Sequence, residues 1–164
     1  MKHNKRERGQ SLVELAISLV ILLWLLSGAV EFGMAFFQFV QLRDAAQEGA
    51  LYGSTHPFLD PNGNGVVDAG EDVTVVNQAV IEERARQSSP TNSPIDLSDS
   101  TLVIVEVISS DGSGLFCEDA GHGIQVTVRY NHHVFMPFMS KIIGPDIPLT
   151  ATVTDTILTP MCPP

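Results

Sequence analysis

The chain has 164 residues and a mass of 17.7 kDa, room for one compact domain with an appendage but hardly for two. Nine Lys and Arg stand against nineteen Asp and Glu, a formal net charge of −10. That balance argues against a nucleic-acid binder, which needs clustered cations to neutralise phosphates. A hydrophobic fraction of 44% is enough for a core and argues against disorder. The charge is unevenly spread: Lys2, Lys5, Arg6 and Arg8 crowd the first eight positions, and from Gly9 onward five basic and eighteen acidic residues leave −13.

A basic stub, MKHNKRERG over 1–9, is followed by a run from Leu15 to Val30 that holds no charge. Counted from Leu12, with Glu14 accommodated, the run reaches 19 residues, close to the roughly 20 that cross a bilayer. Three readings compete. A cleaved secretory signal could use Ser27-Gly28-Ala29 as its small-residue site. A core helix would show an amphipathic face, yet Leu15 to Leu26 is apolar all round. A span with its basic end held in the cytoplasm fits both the length and the charge bias. Glu14 separates them, because a carboxylate inside an apolar helix costs roughly 2–3 kcal/mol on insertion scales. It makes sense if a positive charge arrives later: a cut between Gly9 and Gln10 would free an α-amino group and leave Glu14 as the fifth residue of the shortened chain.

The run RGQSLVEL, residues 8–15, resembles the processing site of type IV prepilins. More narrowly, the chain is similar to the TadE-like proteins, the pseudopilins or minor pilins of tight-adherence (Tad, Flp-type) pili. It has their Gly-Gln-Ser-Leu-Val-Glu start, then Glu31-Phe32-Gly33 and Ala45-Ala46-Gln47-Glu48-Gly49-Ala50. The resemblance covers residues 8–53, extends loosely to the C-terminal strands and omits the middle. It implies a prepilin peptidase cutting at Gly9–Gln10, and Glu14 as the pilin-type carboxylate that meets a neighbouring subunit's new amine. It also implies other pilin subunits and inner-membrane pilus assembly proteins as partners. The implied location is the cell membrane, with the N-terminus cytoplasmic and the C-terminal domain extracytoplasmic or on the pilus surface.

Beyond Val30 a face emerges. Glu31, Gln38, Gln41, Asp44 and Glu48 recur at helical spacing, with Phe32, Met34, Phe36, Phe37, Phe39, Val40 and Leu42 filling the other side. No Pro occurs before Pro57, so one helix is expected from about Ser11 to Tyr52, roughly 60 Å long and twice the hydrocarbon thickness. Its membrane part is placed at about 12–33, and the amphipathic remainder is expected as a stalk whose aromatic side packs on the protein's own domain.

DPNGNGVVDAGE, residues 60–71, matches the calcium-loop pattern position by position. Asp60, Asn62 and Asn64 fall at positions 1, 3 and 5, with Gly65 at the sharp turn. Val66 offers its carbonyl at 7, Asp68 stands at 9 and Glu71 closes the shell at 12. Alternate side chains of a tight loop converge, and a two-oxygen carboxylate completes a set of hard oxygen ligands. An ordinary Asn-Gly turn would explain the glycines but not Asp68 and Glu71. His56-Pro57 interrupts an entering helix, so an isolated calcium loop with only an exiting helix is expected. That exiting helix follows Val73, Val76, Val80 and Ile81 and ends near Arg86. Its ligand set suits millimolar extracellular calcium.

Residues 87–100 are rich in Ser and Pro and read as a connection. Strands are predicted at Leu102–Ile108, Gly123–Tyr130 and Leu149–Leu158. Between the last two lies an apolar excursion centred on Phe135, Met136, Phe138 and Met139, resembling the aromatic, Pro-containing loop of TadE-like proteins. It would cover one end of the sheet or dock a partner. Cys117 and Cys162 are the only cysteines, and an even count in an exported protein favours a disulfide that ties down the tail. His132 and His133 would point to opposite faces of a strand, against a shared metal. Gly112-Ser113-Gly114 lacks the nucleophile-elbow frame and no phosphate loop occurs, so neither catalysis nor a small-molecule substrate is expected.

The whole reads as α+β. A leader (1–9) precedes a long pilin-like membrane helix (10–53), a calcium-type loop with one further helix (54–86), a connection (87–100) and a small antiparallel β-sheet domain (101–164). The alternative is a signal-anchored extracellular calcium-binding adhesive domain with no place in a filament.

Overall fold

The computed structural model describes residues 7–57, 77–89, 93–101, 103–109, 123–136 and 138–158. Helix α1 runs from Glu7 to Thr55, α2 from Gln78 to Gln87 and α3 from Ser140 to Ile143. The strands are β1 (Val103–Ser109), β2 (Gly123–His133) and β3 (Asp146–Thr156). The expected α+β fold is therefore present, with the one-turn α3 added inside the apolar excursion.

The chain divides into two compact units, one of Met1–Phe36 with His133–Ile147 and one of Phe37–His132 with Pro148–Pro164. In the second unit the strands form a sheet in the order β1-β2-β3. β1 and β2 pair antiparallel, from Val103 opposite Tyr130 to Ser109 opposite Ile124. Gln125 bonds to Thr154 and Thr127 to Thr152 at 3.2 and 3.0 Å. Those rungs advance in opposite chain directions, the mark of an antiparallel pair.

The core of this unit joins Leu42, Ala45, Ala46 and Ala50 of α1, Ile81 and Ala85 of α2, and Ile124, Val126 and Val128 of β2. Ile95 and Leu97 also join it, so the Ser/Pro-rich connection is pinned to the core by its two apolar residues. Small residues of α1 let the neighbours come close. A Cβ built on Gly53 would stand 2.6 Å from Ile124 Cδ1, and one on Gly49 would stand 3.1 Å from Ala85 Cβ.

Helix α1 is uninterrupted because nothing breaks it before Pro57. Its C-terminal carbonyls are satisfied in turn: Ser54 Oγ donates to Leu51 O at 2.8 Å and His56 N to Tyr52 O at 2.9 Å. Leu158 N donates to Ser54 O, also at 2.9 Å.

The stalk's expected facing is reversed at its first two polar positions. Glu31 and Gln38 are 2% and 7% exposed, whereas Phe32, Phe36 and Phe37 are more than half exposed. For Gln38 the reason lies in the helical repeat. In the second unit the buried Ala45 sets the inward face, and stepping back seven residues, two helical turns, reaches Gln38; in the first unit Glu31 is drawn in by the amides of Phe135 and Met136. Only Asp44 and Glu48 of the polar stripe lie at the exposed surface.

Candidate functional site

Gly9, Gln10 and Glu14 lie at the start of α1, all exposed. Nothing stands within 4 Å of a Cβ built on Gly9. Gln10 and Glu14 are four residues apart and so share a helix face, with Cβ atoms about 5–6 Å apart. Among the described residues Glu14 has no hydrogen-bond or ion-pair partner. From Leu12 to Leu26 every large apolar side chain is at least half exposed. A cylinder this apolar has no stable home in water, and it is long enough to cross a bilayer. A single N-terminal helix of this kind fits membrane anchoring.

Within the first unit, Glu31 is the polar centre. Its Oε1 accepts the Phe135 N–H and its Oε2 the Met136 N–H, both at 3.1 Å. One carboxylate thus caps two successive amides of the turn that leaves β2, a charge-assisted pair of bonds on a buried acceptor. One turn nearer the N-terminus, a Cβ on Gly28 would touch Met139 Cε at 3.7 Å. One turn further still, the Trp24 and Phe138 rings lie 6.4 Å apart. Sequence reasoning placed Glu31 on the solvent side. The available signal was its position directly after sixteen uncharged residues, where a carboxylate must find donors.

In the second unit His132 Nδ1 and Gln38 Oε1 lie 2.5 Å apart, both side chains buried. The amide oxygen accepts, so Nδ1 carries the proton. The side chain of His133 is 70% exposed and bonds to Asp146 Oδ1 at 3.0 Å. The adjacent histidines take opposite faces, as strand alternation requires.

The proposed calcium ligands Asp60, Asn62, Asn64, Val66, Asp68 and Glu71, and the cysteines Cys117 and Cys162, lie outside the described residues. The two flanks of the calcium-type segment are joined: Asn77 N donates to Pro57 O at 3.0 Å.

An exposed apolar N-terminal helix in a chain that also holds an α+β unit fits the class of membrane-anchored proteins. A family model described as TadE-like protein matches residues 9–51, which fall within α1. This bears out the resemblance carried by RGQSLVEL, Glu31-Phe32-Gly33 and the Ala45–Ala50 segment. No curated protein and no solved structure matches the chain.

Proposed function

We propose that this protein is a non-catalytic, membrane-inserted pseudopilin or minor pilin that takes part in assembling a tight-adherence pilus. The observation that carries the reading is the coincidence of the TadE-like match over 9–51 with a helix whose apolar residues are exposed. A prepilin peptidase cuts after Gly9. The amine freed at Gln10 of one subunit then neutralises Glu14 of the next, removing the penalty of a lone carboxylate among apolar helices. The apolar helices bundle with other pilin subunits and contact inner-membrane assembly proteins. The basic leader stays cytoplasmic and the acidic domain lies outside. There the loop from Asp60 to Glu71 binds calcium through its side-chain oxygens and the Val66 carbonyl, and Cys117 pairs with Cys162.

N-terminal sequencing of protein extracted from membranes tests this. Gln10 as the first residue supports processing. An intact Met1 favours a signal-anchored surface domain, and a chain beginning at Val30 refutes both.

A further inference from the structure

The excursion between β2 and β3 contacts α1 along one helix line, at Trp24, Gly28 and Glu31. Those positions span about 10 Å of helix rise, and Trp24 and Gly28 belong to the stretch that carries no charge between Leu15 and Val30. Whatever solvent surrounds α1 at that level also surrounds the excursion. The excursion's outward side chains match that setting. Phe135 and Ile142 are 70% and 62% exposed, and Phe138 and Ile143 are exposed beside them. Four large apolar groups on a short turn would be a liability in water.

The backbone is also prepared for a medium that offers no hydrogen bonds. In lipid an unpaired amide is costly, so irregular chain persists there only where the protein supplies the partners. Val134 N donates to Pro145 O at 2.9 Å, and Met139 N and Ser140 N donate to Met136 O at 3.0 and 3.2 Å. Ile142 N and Ile143 N go to Met139 O, and Gly144 N goes to Ser140 O. The two remaining amides at the entry, Phe135 and Met136, are taken by the Glu31 carboxylate. Polar groups sit where the excursion meets its strands, with the His133–Asp146 pair exposed at the neck. Lys141, exposed on α3, has the reach to snorkel toward headgroups.

We propose that His133–Ile147 is a second membrane element, which seats Phe135, Phe138, Ile142 and Ile143 in the acyl–headgroup boundary of one leaflet beside α1. The proposal rests on α1 being a membrane span. Its occupant is lipid and not a second copy of the chain, because the patch is continuous with the lipid-facing side of α1 and the amides of Val134, Phe135, Met136, Met139, Ser140, Ile142, Ile143 and Gly144 are already paired within the chain.

Trp24 is the only tryptophan, so a reporter can be moved. In a Trp24→Phe background of the full chain, single tryptophans are installed as Phe138→Trp, Leu19→Trp and Gln78→Trp. Each protein is reconstituted in phosphatidylcholine–phosphatidylglycerol vesicles, with acyl chains either plain or brominated near the carbonyl end. An interfacial element lies about 5–10 Å into the boundary. The reporter at 138 is therefore expected to lose about half its emission to brominated lipid and to resist acrylamide, while the one at 78 does the reverse. Acrylamide quenching at 138 equal to that at 78 overturns the proposal. Shielding of 138 from both quenchers overturns it too, and assigns the patch to protein contact. The reporter at 19 keeps the two readings apart. If it also escapes brominated lipid, the membrane reading of α1 fails; if it is quenched and 138 is not, only the present proposal fails.

Discussion

Removing the Glu31 carboxylate should release the excursion without unfolding the rest of the protein. In Glu31→Ala the amides of Phe135 and Met136 lose acceptors that now stand at 3.1 Å. A buried amide left unpaired costs about 1–3 kcal/mol, so two of them set a range of about 2–6 kcal/mol. Against this stands the relief of no longer desolvating a carboxylate that is 2% exposed. A net local destabilisation of about 3 kcal/mol results, roughly a hundredfold in the opening equilibrium. Hydrogen exchange of the full chain in bicelles, followed by mass spectrometry, reads this directly in peptides covering 133–146. Exchange there should accelerate by about two powers of ten while peptides from β2 at 124–128 keep their protection. Glu31→Gln keeps one acceptor oxygen but turns an amide NH2 toward the second N–H, so its acceleration should be intermediate. Glu48→Ala, which removes an exposed carboxylate from the same helix, should change nothing. Unchanged exchange at 133–146 in Glu31→Ala would refute the reasoning, and so would an equal effect from Glu48→Ala.

Three further outcomes are expected. Gly53→Leu drives a side chain into Ile124 Cδ1 and Ile81 Cδ1, at 2.6 and 3.1 Å from the first added carbon. Overpacking of about 1–3 kcal/mol or more should lower the thermal midpoint, and a melt superimposable on wild type would contradict the packing described. Gln38→Leu strands the His132 Nδ1–H in the core and should cost about 1–3 kcal/mol in denaturant unfolding. A double-mutant cycle with His132→Phe should then return a coupling of about 1 kcal/mol, and strict additivity would deny the bond. Calorimetry of the full chain in detergent should give a calcium-binding heat that disappears in Glu71→Gln; no heat in the parent protein ends the calcium proposal.

The long helix and the three strands were legible because each rests on local pattern. A stretch without Pro before Pro57, uncharged from Leu15 to Val30, gives α1, and alternation at GIQVTVRY gives β2. The opposite facing of His132 and His133 followed from the same two-residue period. What sequence did not reveal was which side of α1 faces inward beyond Val30. Polarity suggested that Glu31 and Gln38 face water and the phenylalanines the core. In the second unit small residues decided otherwise: Ala45, Ala46, Gly49, Ala50 and Gly53 let α2 and β2 approach closely, and the helical repeat then carried Gln38 to the same side; in the first unit the amides of Phe135 and Met136 drew Glu31 in. Their partners, His132 and the amides of Phe135 and Met136, lie about a hundred residues away in sequence. No local rule reaches that far. Helix α3 was missed because SKII is too short to show a helical period.

The bond from Leu158 N to Ser54 O has a consequence in time. The helix near the start of the chain is completed by a residue about a hundred positions later. Synthesis delivers α1 long before β2 and β3 can reach it. Until α2 and β2 fold onto it, the groove of Ala45, Gly49 and Gly53 waits uncovered, and closure depends on the slow search for distant contacts. The nascent chain is therefore most open to capture, by a chaperone or by a strand of another chain, before β2 has closed over that groove.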